Sequence, residues 1–297
     1  MTDAAPATDE TQDGPPTLVQ AWTRARARLS SAQIDSPAID ARLMLEAAAG
    51  ASRADILNDP YRRLTPEQAA TLDSHLSRRE RREPVSRILG RKGFWKIMLN
   101  VTPDVLSPRP DTETVVQLAL EAFDEHRAFQ VLDLGIGSGA IILAILAERP
   151  RATVLGIDVS SEALAVARDN AASLGLEGRL ALLRNDWAAG LAEASFDLVV
   201  ANPPYICEAE IPELDPEVRD HDPLLALVGV VDGLDAYRDL APQIMSVLRP
   251  GAPFLLEVGH DQAREVEALM RAAGAEGVRT VKDLSDRERV VMGTRPA

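Results

Sequence analysis

The stretch Asp133-Leu134-Gly135-Ile136-Gly137-Ser138-Gly139 decides the fold class of this 297-residue chain. Residues 131–134, apolar except for Asp133, predict a strand, and residues 140–148, apolar up to Ala147, predict a helix. Glycines at such a junction let the backbone turn tightly and approach a ligand, because no Cβ atom is in the way. The sequence therefore predicts a cofactor-binding loop near the start of an α/β domain.

The residues after this loop alternate between strand-like and helix-like patterns. Strands are predicted at 153–158, 180–184, 196–201 and 253–258, helices at 162–174, 235–248 and 262–273, and two short strands at the end of the chain. Alternation of this kind predicts a parallel sheet covered by helices on both faces.

The residues before the loop predict a small helical bundle and a linker. Helices are indicated by apolar spacing from Leu18 to Leu29, by Ser36-Pro37, by Ser52 with Asp55, and by the capping box Thr65-Pro66-Glu67-Gln68. The predicted divisions are a disordered tail at 1–16, a helical domain at 17–88, a linker or β-hairpin at 89–110 and a catalytic domain at 111–297.

Composition excludes several classes of protein. Hydrophobic residues make up 46% and charged residues 26%, which is ordinary for a globular protein. No apolar run approaches the ~18 residues of a membrane helix, and residues 1–16 lack the features of a signal peptide. The single cysteine, Cys207, excludes a disulfide framework, and the four histidines show no ligand spacing. These observations predict a cytoplasmic protein with no metal site.

The charge is uneven along the chain. The net charge of −14 argues against nonspecific binding to nucleic acid, yet residues 78–96 contain eight basic and two acidic residues. We call residues 78–96 the basic segment. Its pattern is compatible with a solvated helix face or with a docking stripe for an acidic macromolecule.

The glycine loop alone does not identify the cofactor, because it also satisfies the G-x-G-x-x-A form of the dinucleotide fingerprint. Asp158 ends the next predicted strand, where it is placed to accept hydrogen bonds from a ribose diol. An acidic residue at Asp133 and a third glycine at Gly139 favour S-adenosylmethionine over NAD. After the third strand, Asp186 and Trp187 are placed to meet an adenine amine and ring. A core tryptophan beside a turn aspartate is the alternative.

The motif Asn202-Pro203-Pro204-Tyr205 follows the apolar strand at 196–201. Prolines end a central strand, and their fixed φ angles hold the Pro203 carbonyl in a set direction. The Asn202 side-chain oxygen and this carbonyl are predicted to form two acceptors that face one point. A planar NH₂ group fits there, with Tyr205 stacked on its flat face.

This arrangement addresses a chemical difficulty. The nitrogen of an amide or aromatic amine is a poor nucleophile, because its lone pair is delocalised. Two acceptors that engage its N–H bonds orient the lone pair towards a sulfonium methyl group and stabilise the charge that develops on nitrogen. The motif therefore predicts methyl transfer to a planar nitrogen, without a strong base.

The motifs together resemble the release-factor glutamine methyltransferases, the HemK/PrmC family, from about residue 20 onwards. Further matches are Glu83-Pro84, Leu89-Gly90, Phe94-Trp95, residues 106–113, residues 232–235, Glu257-Val258-Gly259 and residues 286–290. Residues 106–113 are similar to the family's L-I-P-R-P-x-T-E linker signature, which matters because Asn-Pro-Pro-Tyr alone also occurs in N6-adenine methyltransferases. Gly229-Val230 departs from the family's Gly-Gly and puts the conformation of that loop in question.

The resemblance implies a Rossmann-like class I S-adenosylmethionine-dependent methyltransferase domain, a small N-terminal helical bundle that docks the substrate, and a β-hairpin linker. The implied reaction methylates N5 of the glutamine in the Gly-Gly-Gln motif of peptide chain release factors and yields S-adenosylhomocysteine. The implied cofactor residues are Gly135, Ile136, Gly137, Ser138, Gly139, Asp158, Asp186, Trp187 and Asn202. The implied substrate residues are Asn202, Pro203, Pro204 and Tyr205, of which Asn202, Pro203 and Tyr205 are catalytic. No membrane or stable nucleic-acid partner is expected.

Other functions remain open at the level of sequence. A methyltransferase that acts on a glutamine of a ribosomal protein would show almost the same motifs. The net charge of −14 disfavours an N6-adenine methyltransferase of nucleic acid. The intact Asn-Pro-Pro-Tyr motif argues against an inactive scaffold. Arg109 and Glu113 are placed either to pin the linker or to line the cofactor entrance. Glu257 is either structural or at the edge of the pocket, and His221-Asp222 favours a loop pair over a general base.

Overall fold

The computed structural model describes residues 14–297, which form two units that meet between Leu89 and Gly90. The predicted tail at 1–16 lies outside the described residues except for its last three positions. The Pro15 carbonyl accepts a hydrogen bond from the Arg63 side chain (3.0 Å), and the Pro16 carbonyl accepts one from the Leu64 backbone (2.9 Å). The end of this segment is therefore attached to the first unit.

The first unit is the predicted helical bundle. Its helices are α1 (Leu18–Ser31), α2 (Pro37–Ala49), α3 (Arg53–Asn58), α4 (Pro66–Glu80) and α5 (Val85–Leu89). Capping boxes at Thr17, Ser52 and Thr65 begin α1, α3 and α4, whereas Ser36 makes no side-chain cap hydrogen bond. The buried core includes Leu18, Ala25, Leu29, Met44, Leu45 and Leu72.

Part of the basic segment is engaged inside this bundle. Arg79 is 7% exposed and donates to Asp40 at 2.8 Å, and Arg78 pairs with Glu83. The segment is also divided between the two units after Leu89. Arg78 and Arg79 therefore have ion-pair partners within the first unit, and docking of a substrate by the basic segment stays a prediction.

The second unit begins with a hairpin inside the predicted linker. Strands β1 (Arg91–Phe94) and β2 (Ile97–Asn100) pair antiparallel. Trp95 occupies the turn with φ of +53°, and its backbone N–H donates to Glu113 at 2.7 Å. The hairpin is thereby fixed to the start of the next helix.

A seven-stranded sheet forms the centre of the second unit. Its strands are β3 (Phe129–Leu134), β4 (Ala152–Asp158), β5 (Leu180–Arg184), β6 (Leu198–Ala201), β7 (Pro253–Glu257), β8 (Glu276–Lys282) and β9 (Glu288–Thr294). The order is β5-β4-β3-β6-β7-β9-β8, and the first five strands are parallel. Strand β9, one of the two predicted terminal strands, runs antiparallel to β7 and β8, an orientation that the alternation of strands and helices did not predict. The short connection at 283–287 cannot return the chain for parallel pairing.

Helices cover both faces of the sheet, as the alternation predicts. The α-helices of the second unit are α6 (Glu113–Ala122), α7 (Ala140–Glu148), α8 (Ser161–Ser173), α9 (Pro216–Arg219), α10 (Leu224–Leu227), α11 (Asp235–Val247) and α12 (Ala263–Ala272). Successive residues of β3 belong to different core clusters, Val131 to one and Leu132 to the other, because strand side chains alternate between faces. No helix in the described part of the chain is long and apolar enough to cross a membrane.

The connections of the sheet reverse direction between β3 and β6. The chain runs from β3 to β4 and β5 on one side, and then from β6 to β7 on the other. In open α/β sheets, ligands bind at the carboxyl ends of the strands beside such a reversal. The topology thus places the glycine loop and the Asn-Pro-Pro-Tyr motif next to one crevice.

Candidate active site

A cavity of about 550 Å³ lies at the carboxyl ends of β3, β4, β5 and β6. This volume is within the range of ~300–1,000 Å³ that is usual for small-molecule sites. Among the predicted residues, its walls include Gly135, Ile136, Gly137, Ser138, Asp158, Asp186, Trp187, Asn202 and Pro204. The structure therefore gathers both predicted motifs around one space.

The glycine loop has the conformation that glycines allow. Gly135, Gly137 and Gly139 all have positive φ angles, of 82°, 52° and 82°. Gly139 does not line the cavity, and a Cβ atom there would lie 3.0 Å from the Leu143 side chain. The third glycine thus serves the close packing at the start of α7.

Asp158 holds the loop and faces the cavity. Its Oδ2 accepts from the Gly137 backbone N–H at 3.0 Å, and its Oδ1 accepts from the Ser160 N–H at 2.9 Å. Each carboxylate oxygen keeps further acceptor capacity. Asp158 is therefore able to accept hydrogen bonds from a diol while it positions the loop.

Asp133 lies beneath the loop and is 1% exposed. Burial, together with the nearby charge of Asp158, raises its pKa to about 8. Its Oδ1 has no hydrogen-bond partner among the described residues. A buried acceptor without a partner is unusual and suits a cationic or hydrogen-bonding group of a ligand.

Asp186 and Trp187 both line the cavity. Trp187 has φ of +47° and also packs against the core cluster on the α11 face. The Asn185 side chain holds this turn by donating to the Trp187 carbonyl (3.1 Å) and the Ala189 carbonyl (2.8 Å). Trp187 therefore combines the two alternatives, since it belongs to the core and also forms part of the cavity wall.

The four residues of Asn-Pro-Pro-Tyr have different surroundings. Asn202 and Pro204 line the cavity, whereas Pro203 is buried and Tyr205 lies outside the wall. The Tyr205 carbonyl accepts from Gln262 at 2.8 Å. Burial, and then the charge of Glu257, raises the pKa of the Tyr205 hydroxyl to about 12. Stacking of Tyr205 on a substrate amide stays a prediction.

The carboxamide of Asn202 has one end directed into the protein. Its Nδ2 donates to the Thr112 hydroxyl at 3.4 Å, and Thr112 is only 4% exposed. Because Nδ2 is engaged there, the opposite atom, Oδ1, is the one available to the cavity. Sequence reasoning quoted Thr112 within the linker signature but gave it no role.

Glu257 lies in the same interior region, at the end of β7, and is 1% exposed. Burial raises its pKa to about 7, although hydrogen bonds from Thr112 and Asn202 and the charge of Arg289 oppose this rise. Glu257 is absent from the cavity wall. Of the two alternatives for this residue, the structure supports an interior position.

The linker signature is tied to distant parts of the second unit. Asp222 is buried, and it accepts from the Ser107 N–H at 3.4 Å and from Arg109 at 2.5 Å. Arg109 also lines the cavity, so its position agrees with either of its predicted alternatives. Asp222 is engaged as a loop partner, which agrees with the interpretation of His221-Asp222 as a loop pair.

Two stretches of the cavity wall were missed in the sequence. They are the linker residues 103–105, just before the linker signature, and the segment at Pro223, Leu225 and Ala226. Neither contains residues that signal chemistry, and they reach the cavity only because the loops fold over the sheet edge. No local pattern identifies them.

The seven-stranded sheet with one reversed strand, the glycine loop and the acid after β4 define a class I S-adenosylmethionine-dependent methyltransferase fold. Residues 20–90 match the family model described as the PrmC N-terminal domain, and residues 101–213 match the methyltransferase small domain.

Relatives along nearly the whole chain carry one name. The chain is 63% identical to the release factor glutamine methyltransferase of Caulobacter vibrioides, over 94% of this chain and 96% of that protein. It is 47% identical to the protein of that name from Rhodospirillum rubrum, over 91% and 82%. It is 40% identical to the protein of that name from Moorella thermoacetica, over 94% of this chain and 99% of that protein. The chain belongs to the release factor glutamine methyltransferase family.

Proposed function

We propose that this protein transfers a methyl group from S-adenosylmethionine to the N5 amide nitrogen of the glutamine in the Gly-Gly-Gln motif of peptide chain release factors, in the cytoplasm. The observation that carries the proposal is the orientation of Asn202, whose Nδ2 donates to Thr112 while the side chain lines the cavity. A carbonyl oxygen directed at the cavity is what a substrate NH₂ group requires. The names of the relatives support the choice of substrate.

The residues around the cavity fit the cofactor. Asp158 lines the wall with acceptor capacity for a ribose diol, whereas Asp133 is buried beneath the loop and absent from the wall. Asp186 and Trp187 provide an exposed carboxylate and a ring for adenine. When bound, S-adenosylmethionine supplies an electrophilic methyl group on a sulfonium centre.

The chain's contribution to the reaction is to bind and orient the substrate amide. Asn202 Oδ1 and the Pro203 carbonyl accept its two N–H bonds, which aligns the nitrogen lone pair and stabilises the positive charge that develops there. The ring of Pro203 fixes its φ angle, and Pro204 after it restricts its ψ angle, so the direction of the Pro203 carbonyl is limited before substrate binds. The methylated nitrogen then loses its proton without a strong base, because a cationic amide nitrogen is acidic.

The test is transfer of radiolabelled methyl from S-adenosylmethionine to a purified release factor, beside the same factor with Gln→Ala in its Gly-Gly-Gln motif. Label on the wild-type factor alone is expected. Label on both factors would place the reaction at another residue. If neither factor is labelled, the proposal is wrong, and ribosomal protein and then adenine in nucleic acid are the substrates to try.

A further inference from the structure

Three side chains meet at the wall of the cavity. Asn202 Nδ2 donates to the Thr112 hydroxyl at 3.4 Å. Glu257 ends β7, which pairs with β6 at Ala201–Leu256, so its carboxyl group lies beside Asn202, and its interactions with Thr112 and Asn202 lower its pKa against the effect of burial. Thr112 and Glu257 are 4% and 1% exposed, so the contact between them is shielded from water. Asn202 and Thr112 line the cavity, whereas Glu257 lies behind them and is absent from its wall.

The two ends of a carboxamide have almost the same shape. Packing alone therefore does not decide whether Asn202 presents its oxygen or its nitrogen to the cavity, and the hydrogen-bond partners must decide it. The choice matters chemically, because an NH₂ end directed at a substrate NH₂ group would repel it. A device that fixes the orientation is required.

An ionised carboxyl group accepts hydrogen bonds and cannot donate them, whereas a threonine hydroxyl does both. With Glu257 ionised, the Thr112 O–H points to Glu257, and the Thr112 oxygen is left to accept from Asn202 Nδ2. The carboxylate thus determines which atom donates in each hydrogen bond from Asn202 through Thr112 to Glu257. Glu257→Gln would remove this constraint, because the glutamine NH₂ group can donate to Thr112 and each donor and acceptor can exchange roles.

We propose that Glu257 is a positioning residue that acts through Thr112 and directly on Asn202, fixing the asparagine with Oδ1 towards the methyl acceptor. The inference rests on the proposed function for the identity of that acceptor. It also gives the Thr112 position of the linker signature a physical role.

The surroundings of Glu257 agree with a role beyond stability. Its Oε2 has no hydrogen-bond partner among the described residues, and its main-chain carbonyl accepts from the Tyr237 hydroxyl at 2.7 Å. An incompletely satisfied buried carboxyl group destabilises a fold relative to a neutral group of the same shape. A residue that served only packing would gain from being neutral.

The first test is a double-mutant cycle on methyl transfer to the release factor at pH 8.5, above the raised pKa of Glu257 of about 7. Glu257→Gln is expected to lower kcat roughly tenfold, the scale of one hydrogen bond to a charged group. The Kd of S-adenosylmethionine should stay within about twofold. In the Asn202→Ala background, the same substitution should change kcat less than about twofold, because its effect passes through Asn202. An equal loss in both backgrounds would overturn the proposal.

Matched variants separate positioning from folding. Tyr237→Phe removes a buried hydrogen bond to the main chain of Glu257 and leaves its carboxyl group intact. This control is expected to keep kcat within about twofold, as is Thr112→Ser, which retains the hydroxyl. Thr112→Val should reproduce the loss of Glu257→Gln. If Thr112→Val keeps full activity, the route through Thr112 is wrong.

A measurement without substrate distinguishes this inference from the proposed function. The side-chain amide signals of Asn202 are assigned in a ¹⁵N spectrum by their loss in Asn202→Ala. They are expected to be protected from exchange in the wild type and to move and lose protection in Glu257→Gln, but not in Tyr237→Phe. Unchanged signals in Glu257→Gln would overturn the positioning role. If the signals behave as expected but no release factor is methylated, only the proposed function fails.

Discussion

Under the proposed function the cavity has a cofactor half and an acceptor half, and the two are built differently. The cofactor half, at the ends of β3 and β4, is held by backbone groups of the glycine loop and by Asp158, a contact across 21 residues of chain. The acceptor half, at the end of β6, is held by side chains. Its contacts span 57 residues from Tyr205 to Gln262 and 90 residues from Thr112 to Asn202.

The two halves should therefore be sensitive to different kinds of substitution. In the cofactor half, the fold needs particular φ angles, which glycine supplies locally. In the acceptor half, the fold needs buried polar groups that form hydrogen bonds with one another. Loss of one partner leaves the other buried without a hydrogen bond, which costs its desolvation free energy. We expect changes in the first half to alter cofactor binding and changes in the second to alter turnover.

Asn202→Ala is the strongest test of the acceptor half. It removes one acceptor of the substrate amide and is expected to raise the barrier to methyl transfer by roughly 2–4 kcal/mol, the scale of losing one preorganised polar partner. The Kd for S-adenosylmethionine, measured by calorimetry, should change little. Asn58→Ala, on the exposed end of α3, is the control. Normal turnover of the Asn202 variant would remove the basis for the proposed mechanism.

Asp158→Ala is the corresponding change in the cofactor half. It removes an acceptor for the ribose and the partner of the Gly137 N–H, so the affinity for S-adenosylmethionine should fall by roughly 1.5–3 kcal/mol. Calorimetry measures this loss, and turnover at saturating cofactor should be affected less. If kcat falls while the Kd is unchanged, the assignment of Asp158 to the cofactor half is wrong.

The pH dependence of stability tests the buried carboxyl group of the acceptor half. The pKa of Glu257 is raised by burial to about 7, so its neutral form is favoured in the folded state. This contribution to the free energy of unfolding is fully present below the ordinary pKa of 4.5 and is lost as the pH rises through about 7.

Glu257→Gln stays neutral and should abolish this loss. Urea unfolding at pH 5 and pH 8.5 is expected to show that the variant gains on the order of 1–3 kcal/mol relative to the wild type between the two values. Parallel behaviour of the two proteins would mean that Glu257 is not buried as an acid. The other titrating groups are common to both proteins and cancel in the comparison.

Val230→Gly is expected to have the smallest effect of these substitutions. Val230 stands where the family has a second glycine, and its φ is +64°, so the loop keeps a glycine-like conformation despite the β-branched side chain. Val230→Gly is expected to raise the free energy of unfolding by about 1 kcal/mol as this strain is relieved. Val231→Gly, at an exposed neighbour without a positive φ, should give no gain. Equal effects of the two changes would argue against strain at Val230.

The strands, the helices and the two motifs of this protein follow from local sequence. The apolar periods of the segments from 131 to 273 predict strands and helices close to those of the structure, because period depends only on local spacing. The glycine loop and Asn-Pro-Pro-Tyr carry their chemistry in residue types that dictate the backbone locally. Their convergence on one cavity then follows from the parallel order of the strands.

Which side chains contact the motifs depends on tertiary packing. Glu257 beside Thr112, Arg109 on Asp222 and the reversed β9 depend on how distant segments pack. A local pattern carries no information on a contact across 90 or more residues, such as that between Thr112 and Asn202. The orientation of the Asn202 amide belongs to this second group, because hydrogen-bond partners brought together by folding select one of two ends of nearly equal shape.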